Sequence, residues 1–586
     1  MRLNDNNHTS TFNFYTLVEL ELVSIFAAQQ NHKQNKTMKP IQKFLIVLLC
    51  GLLSSVTFAQ VTVKQGPGLD NDRDNTMNRM LNGDDNSFYC YRVRSKGRGT
   101  SFYVEKYDNK TLKPLFSKEI NDENEDDYKF EDVRYAAGNV YVFRRKYDKE
   151  GDKMTLYYQS ISSSGVVSKK QQEIVMVNSD HYEFVDFDVY SNPSNTKFLI
   201  KACHKANKED DYKTDFILLD ANGMKTIWTK TVNQQISNKS NNLGASIAGL
   251  FGVNVKTREM GLLGMFLDDK DNVFYCYTVP DEKKDKKSKR TIHLMLSFIN
   301  ASEKAPKDLE LQFDDSYQLG DIEFSKSKEN EIVVGGFLKD VIERRGADLV
   351  KVGIFSFTID QSSASVTAHT VKLFDDKMLT ALESNPKRSK YFNYKMDYIM
   401  PIGDAVYYIG EQYNLTMVTQ SSGYGSSSTH YDYEYMDVII GKLNSKGEFE
   451  WVKNVPLRNA VTLGYRHVFK QYIAAATDKN IYIMCDDHPK NMERYAKADY
   501  EPRDLKTVSG IHGSSFVYNA VSVSDGSIKR GEIFKNETYC FAPIQERNIQ
   551  FVPPASCEIF TKGKNNELYI YTEDRGRDRF ATLKLQ

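Results

Sequence analysis

Residues 437–455 read DVIIGKLNSKGEFEWVKNV, and residues 215–232 read DFILLDANGMKTIWTKTV. The chain holds two tryptophans, Trp228 and Trp451, and each opens the same W-x-K-x-V phrase. In both stretches an apolar run meets a polar turn carrying Asn and Gly, and a second run then leads back. This is the grammar of a β-hairpin. The same phrase in two distant places points to a repeated unit, and the rest of the sequence bears the same stamp.

A short apolar and aromatic run entered from a polar turn recurs eight times: SFYCYRV at 87, GNVYVFRR at 138, NTKFLIKA at 195, VFYCYTV at 273, NEIVVGGF at 330, GDAVYYIG at 403, KNIYIMCD at 479 and NNELYIYT at 565. Each is followed by a hairpin, as in YYQSISSSGVVSKKQQEI or FVYNAVSVSDGSIKRGEIF, and most are preceded by another alternating segment such as YEFVDFDVY, SYQLGDIEFS or RHVFKQYIAAAT. Each unit is thus about four antiparallel strands, and W-x-K-x-V falls in the last of them. The spacing is too irregular for a solenoid in strict register. Small sheets that cannot bury both faces alone are satisfied by radial packing, which leaves only short edges. The expected fold is therefore all-β, a β-propeller of about eight four-stranded blades. Seven blades or two adjacent β domains are the alternatives. The last unit, CEIFTKGKNNELYIYTEDRGRDRFATLKLQ, stops one strand short, while QVTVKQ at 60–65 has no unit of its own. Val61 to Lys64 is accordingly expected to be the outer strand of the final blade, so that the N- and C-terminal strands close the ring.

Helix is scarce. KMLTALE (377–383), behind Asp375 and Asp376 as caps, is the best helical candidate, and LGASIAGLFG (243–252) is a short helix or a packed loop.

The first sixty residues stand apart from this pattern. Lys39 and Lys43 precede the apolar run FLIVLLCGLL (44–53), which leads into SSVTFAQ. That order is a secretory signal peptide over 38–59, with cleavage after Ala59. Met38 is then the natural start, residues 1–37 read as a mis-translated upstream extension, and residues 60–586 as a single propeller domain. The run is shorter than the ~20 apolar residues of a spanning helix, so no transmembrane segment is expected in the mature chain. The expected location is the periplasm or the cell surface.

Charge narrows the partners. With 78 basic and 78 acidic residues the formal charge is zero, which removes the attraction that non-specific nucleic-acid binding needs. Six cysteines follow the leader, and Cys90, Cys203, Cys276 and Cys485 lie inside strand phrases as small hydrophobes. Cys540 and Cys557, in loop-like surroundings, are the pair free to form a disulfide.

No motif asks for catalysis. There is no H-E-x-x-H, no close Cys pair, no G-x-S-x-G turn, no phosphate loop and no dinucleotide fingerprint. LDNDRDNTMNRML (69–81) opens like a calcium loop but has Asn75 where Gly is needed and Leu81 where a bidentate Glu is needed, so it reads as a solvated acidic loop. The charge runs NDENEDD (121–127) and DEKKDKKSKR (281–290) read as exposed tips. No metal or cofactor is expected. Two stretches are candidate binding surfaces. SSGYGSSSTHYDYEYMD (421–437) carries Tyr424, Tyr431, Tyr433 and Tyr435, either as contacts in an adaptable loop or as one packed face of a strand. CDDHPKN (485–491) puts Asp486, Asp487 and His488 directly after a strand, as ligand contacts or as a capped turn.

SFYVEKYD, GEQYN, DVIIGKLNSKGEFEWVKNVP and CDDHPKN, with the FAQ ending of the leader, resemble uncharacterised exported β-propeller-like proteins of Bacteroidota-type bacteria. The resemblance implies a Gram-negative envelope setting and a propeller-like fold, and carries over no catalytic residue. The reading is a monomeric, non-catalytic binding or scaffold protein that engages a protein or glycan of the cell envelope through its loops. The alternative is a hydrolase or lyase acting on polysaccharide or peptide at one mouth of the ring, which would need acidic or His side chains from different blades to converge.

Overall fold

A computed structural model describes residues 61–70, 75–96, 99–120, 128–178, 186–205, 212–234, 262–280, 292–303, 305–313, 317–340, 352–382, 393–422, 426–463, 470–496, 504–509, 514–534, 560–563, 565–574 and 577–586. The leader, the 121–127 and 281–290 charge runs, 243–252, Tyr424, Cys540 and Cys557 lie outside them.

Eight four-stranded antiparallel sheets follow one another along the chain, seven of them meanders, and Val508–Ser509 adds a short parallel pairing to the edge of the sixth. Blades 1 to 7 span 75–119, 128–178, 186–234, 262–311, 317–373, 393–463 and 472–534. Blade 8 takes its first three strands from Phe560–Lys562, Glu567–Asp574 and Arg577–Leu585, and its fourth from the other end of the chain, Val61–Gln65. The register there runs from Val61 opposite Leu585 to Gln65 opposite Ala581. The expected closure is therefore the observed one.

Alternation within the strands explains how the ring holds together. Side chains on one face of a blade meet the previous blade and those on the other face meet the next. One apolar cluster fills each junction, the junction between blades 8 and 1 included. At that last junction Phe88 stacks on Tyr569 with ring centroids 5.2 Å apart, and between blades 1 and 2 Tyr91 stacks on Phe130 at 4.9 Å. Burying one such ring is worth roughly 2–3 kcal/mol, so the junctions carry the stability that no single sheet possesses.

The first strands of consecutive blades pack side by side and are the innermost. They are Asn75–Leu81, Tyr128–Ala136, Asp186–Ser191, Leu262–Leu267, Tyr317–Lys328, Asn393–Ile402, Tyr472–Ala476 and Phe560–Lys562. Leu69–Asp70 adds a short pairing to Arg577–Leu585, and Asn75–Leu81 is a strand where the acidic-loop reading of 69–81 had placed a loop.

The two tryptophans occupy equivalent places. In the fourth strand of blade 3 the register slips at Ile227, leaving Trp228 opposite Leu218; in blade 6 it slips at Glu450, leaving Trp451 opposite Lys442. Blades 1 and 5 carry the same bulge, followed by Phe116 and Ala368. The phrase repeats because the outer strand must bend just after its turn. That turn places Gly223 and Gly447 at φ +91° and +79°, backbone that only glycine adopts without strain.

The connections are asymmetric. At one end of the ring lie the turns between first and second strands and between third and fourth strands, none longer than the ten residues of 162–171. At the other end are the strand ends that the chain joins from second to third strand and from blade to blade, across sequence gaps of up to the 27 residues between Gln234 and Leu262. Helix α1 (Asp376–Leu382), capped by the Asp375 carboxylate accepting from the Met378 amide at 2.7 Å, and helix α2 (Pro489–Tyr495) both belong to the long-connection end. The first matches the sequence expectation within a residue at either boundary. The second was missed.

Candidate functional site on the inner strands of blades 5 to 8

Charged residues occur on the innermost strands on both sides of the ring, with Arg79, Asp132 and Arg134 tied to one another in blades 1 and 2, and a second group in blades 5 to 8. Asp321 and Glu323 lie two apart on the inner strand of blade 5, and Lys395 and Asp397 two apart on that of blade 6, with Asp321 and Asp397 at register slips of their strands. Glu411, on the second strand of blade 6, stands opposite Lys395. Lys470 leads into the inner strand of blade 7, and Lys562 ends that of blade 8. Asp321, Lys395 and Asp397 fall in the half of their strand nearer the long connections, whereas Glu323 and Glu411 fall in the other half and Lys470 precedes its strand.

These groups sense one another across blades, which places them where the inner strands converge. Enclosure raises the Glu323 carboxyl to about 7, against the pull of Lys470 two blades away and with a further push from Asp397. Asp321, although reached by water, is also raised by lost solvation, with Lys395 opposing and Asp397 reinforcing. The Lys562 ammonium is lowered by enclosure and then by the like charge of Lys470.

Behind this wall the polar groups are sealed in. The Asp397 side chain is fully buried, accepts a hydrogen bond from the Tyr472 hydroxyl at 2.8 Å and lies 3.5 Å from the Lys395 ammonium. Glu411 is 1 % exposed, and burial first, then the charge of Asp397, pushes its carboxyl well above the usual range. The Gln471 backbone amide is the donor that favours its ionised form. The Lys470 ammonium rests 4.4 Å from the centre of the Tyr398 ring, a cation–π contact at the same level.

The tyrosines singled out in the sequence are mostly unavailable. Tyr431, Tyr433 and Tyr435 lie in the strand Ser426–Leu443, not in a loop. Tyr433 and Tyr435 are each 1 % exposed and pack against Leu415, Val455 and Leu457 in the junction between blades 6 and 7. The packed-face reading is the one observed, because alternation sends every second side chain of this strand inward. Tyr431 alone is half-buried.

CDDHPKN is a capped turn. The Asp487 carboxylate accepts from the His488 amide and from Asn491 Nδ2, both at 2.7 Å, and burial raises it to about 6. His488 caps α2, its Nδ1 accepting from the Lys490 amide at 3.1 Å. Asn491 in turn clasps the Lys506 backbone from both sides. Asp486 and Asp487 are buried, so these residues organise the 488–514 insertion and present little to a ligand. Tyr495 at the end of α2 lies under Arg530, 3.8 Å from guanidinium carbon to ring centre, and Arg530 Nε donates to Asn519 at 2.7 Å.

Sequence reasoning passed over Asp321, Glu323, Lys395, Asp397 and Glu411. Their signal was charge at alternate positions inside first-strand phrases, QLGDIEFS and NYKMDYIM, which reads equally well as a solvent-facing side. Among the described residues no cluster of His, Cys, Asp and Glu has the geometry to hold a metal ion, and no helix is long and apolar enough to cross a membrane.

No protein-family model and no curated protein sequence matches the chain. Solved structures similar to it include the β-propeller domain of the trilobed protease from Pyrococcus furiosus, at 9 % identity and TM-score 0.33 over 80 % of this chain and 98 % of that one. A europium-containing methanol dehydrogenase is similar at 7 % identity and TM-score 0.36 over 89 % and 93 %. The polysaccharide lyase Uly1 is similar at 9 % identity and TM-score 0.35 over 70 % and 86 %.

Proposed function

We propose that this chain is an exported, non-catalytic binding ring that engages a glycan or protein of the cell envelope at its long-connection end, with Asp321 and Glu323 as contacts on the inner wall. One observation carries this reading: the inner strands of blades 5 and 6 bring Asp321, Glu323, Lys395 and Asp397 within electrostatic reach of one another, in a ring whose longest connections all join strands at one end. Binding residues sit preferentially on such connections, positioned by a rigid scaffold.

The balance falls to binding over hydrolysis because of burial. Carboxylate-driven bond cleavage needs two carboxyl groups on opposite sides of the bond to be broken. Here Asp397 and Glu411 are sealed behind the wall, while Asp321 and Glu323 project from one strand. Glu323, with its carboxyl near neutrality, is the feature that would serve an acid–base role if substrate were cleaved.

The test is capture from a cell-envelope extract by the purified 60–586 chain, compared with a variant carrying Asp321→Asn and Glu323→Gln. Stoichiometric retention of one envelope component by the parent, and its loss in the variant, is the expected result. Release of soluble sugars or peptides from the extract, abolished by Glu323→Gln, would overturn the non-catalytic reading.

A further inference from the structure

The opposite end of the ring carries a different opening. Between blades 2 and 3, where Asn139 and the turns from third to fourth strand meet, lies a pocket of about 400 Å³. None of the residues that line it is charged, in a chain whose composition is 27 % charged. Its floor is the pair Tyr141 and Tyr158, with ring centroids 5.9 Å apart and planes inclined by 54°. Both rings are fixed from behind: the Tyr141 hydroxyl donates to the Ala221 carbonyl, and that of Tyr158 donates to Gln172 Oε1 at 2.5 Å.

The rim has a matching chemistry. Ser160 and Ser168 contribute hydroxyls, and Asn139 and Gln172 contribute amides. Gln172 receives the Tyr158 proton on its oxygen, which leaves its amide nitrogen as a donor. Met224 adds an apolar wall, and Val166 stands at the lip, 67 % exposed.

An ion entering here would lose water and find no counter-charge, which is costly. A wholly apolar guest would take water from the serine hydroxyls and the Gln172 amide nitrogen and return no hydrogen bond. A neutral polyhydroxylated ring avoids both penalties, because each of its hydroxyls donates and accepts while its C–H faces lie against tyrosine, methionine and valine. The size falls within the range of small-ligand sites and admits one or two pyranose rings. We infer that this pocket binds a neutral sugar, as a terminal unit or a disaccharide of a glycan. The inference is independent of the reading given to the other end of the ring.

Gly223 lines the opening, and a β-carbon added there meets nothing within 4 Å, although its φ of +91° strains any side chain, asparagine least. Gly223→Asn should therefore add bulk at the opening at some cost in stability, which unfolding reads separately from binding. Cellobiose, maltose and chitobiose, with a uronate disaccharide as the charged control, would be titrated into the 60–586 chain by calorimetry and by ligand-observed NMR. Saturable binding of at least one neutral sugar is expected, weakened tenfold or more by Gly223→Asn and by Asn139→Ala with Ser168→Ala, with both variants still folded at the temperature of the titration. The inference is overturned if no neutral disaccharide saturates the chain or if the uronate binds better. It is equally overturned if sugar binding survives Gly223→Asn but is lost with Asp321→Asn and Glu323→Gln, which would place the sugar at the other end.

Discussion

Val63 lies directly opposite Leu583, and this pairing of one chain end with the other supplies the fourth strand of blade 8. Leu583 is fully buried, and Val61 and Val63 pack against the cluster it shares with blade 7. Removing residues 60–65 bares an edge strand and uncovers that cluster. The expected outcome is a lowered Tm and faster proteolysis, with cuts concentrated in blade 8, read by limited digestion and mass spectrometry. Leu583→Ala alone should cost about 2–5 kcal/mol in urea unfolding.

Blade 6 contains a fully buried ion pair. Asp437 is bound by Arg458 and by Asn454 Nδ2 at 3.1 Å, and Arg458 also donates to the Met436 and Leu457 carbonyls. Asp437→Ala leaves the guanidinium buried without its carboxylate, so a loss of about 3–5 kcal/mol is expected. Replacing both residues by apolar ones of similar volume should recover much of it. A double-mutant cycle in denaturant reads the difference.

The architecture was legible because it is written in alternation and turn chemistry, which are local. DVIIGKLNSKGEFEWVKNV announces a hairpin by itself, and the unpaired QVTVKQ could be matched to the blade lacking a strand without knowing a single contact. The site was not legible for the opposite reason. Whether Asp321 and Glu323 face solvent or a shared channel depends on which neighbour covers each side of the strand, and Glu323 is tuned by Lys470, far along the chain. The tyrosines of 431–435 misled in the other direction, since serine and glycine around them suggest a loop while the period of two keeps the strand running.

The inner-wall acids make stability fall with rising pH. Glu323 and Glu411 have carboxyls raised in the folded state, so the folded chain holds protons that the unfolded chain releases above about 4.5. Their favourable contribution is complete below that value and is lost as pH climbs, through about 7 for Glu323. Urea midpoints should accordingly be higher at pH 5 than at pH 8 as far as these groups decide it. Glu411→Gln should raise stability at pH 8 by roughly 1–3 kcal/mol while changing little at pH 4, and so flatten the profile.

The equivalent tryptophans differ in cover, and fluorescence should separate them. Trp228 is 8 % exposed between blades 3 and 4, whereas Trp451 is half-buried beside Tyr407, 5.9 Å away. With Trp451→Phe, the remaining emission should lie further to the blue and resist iodide quenching. With Trp228→Phe, the remaining emission should be redder and quenched several-fold more strongly. Equal quenching in the two variants would contradict their packing.

The uneven length of the connections divides the molecule into a half that must stay as it is and a half that can be rewritten. Tight turns such as 444–447 fix strand register and accept almost no added residue, whereas the eleven residues between the paired Pro280 and Ile292 are more than a tight turn needs. A peptide tag or a whole small domain spliced into 281–291 should leave the eight sheets undisturbed, while the same cargo placed at Gly447 should prevent assembly. Lineages of such rings are therefore free to diversify from one side alone, and a vaccine or biosensor engineer would find the grafting surface already marked.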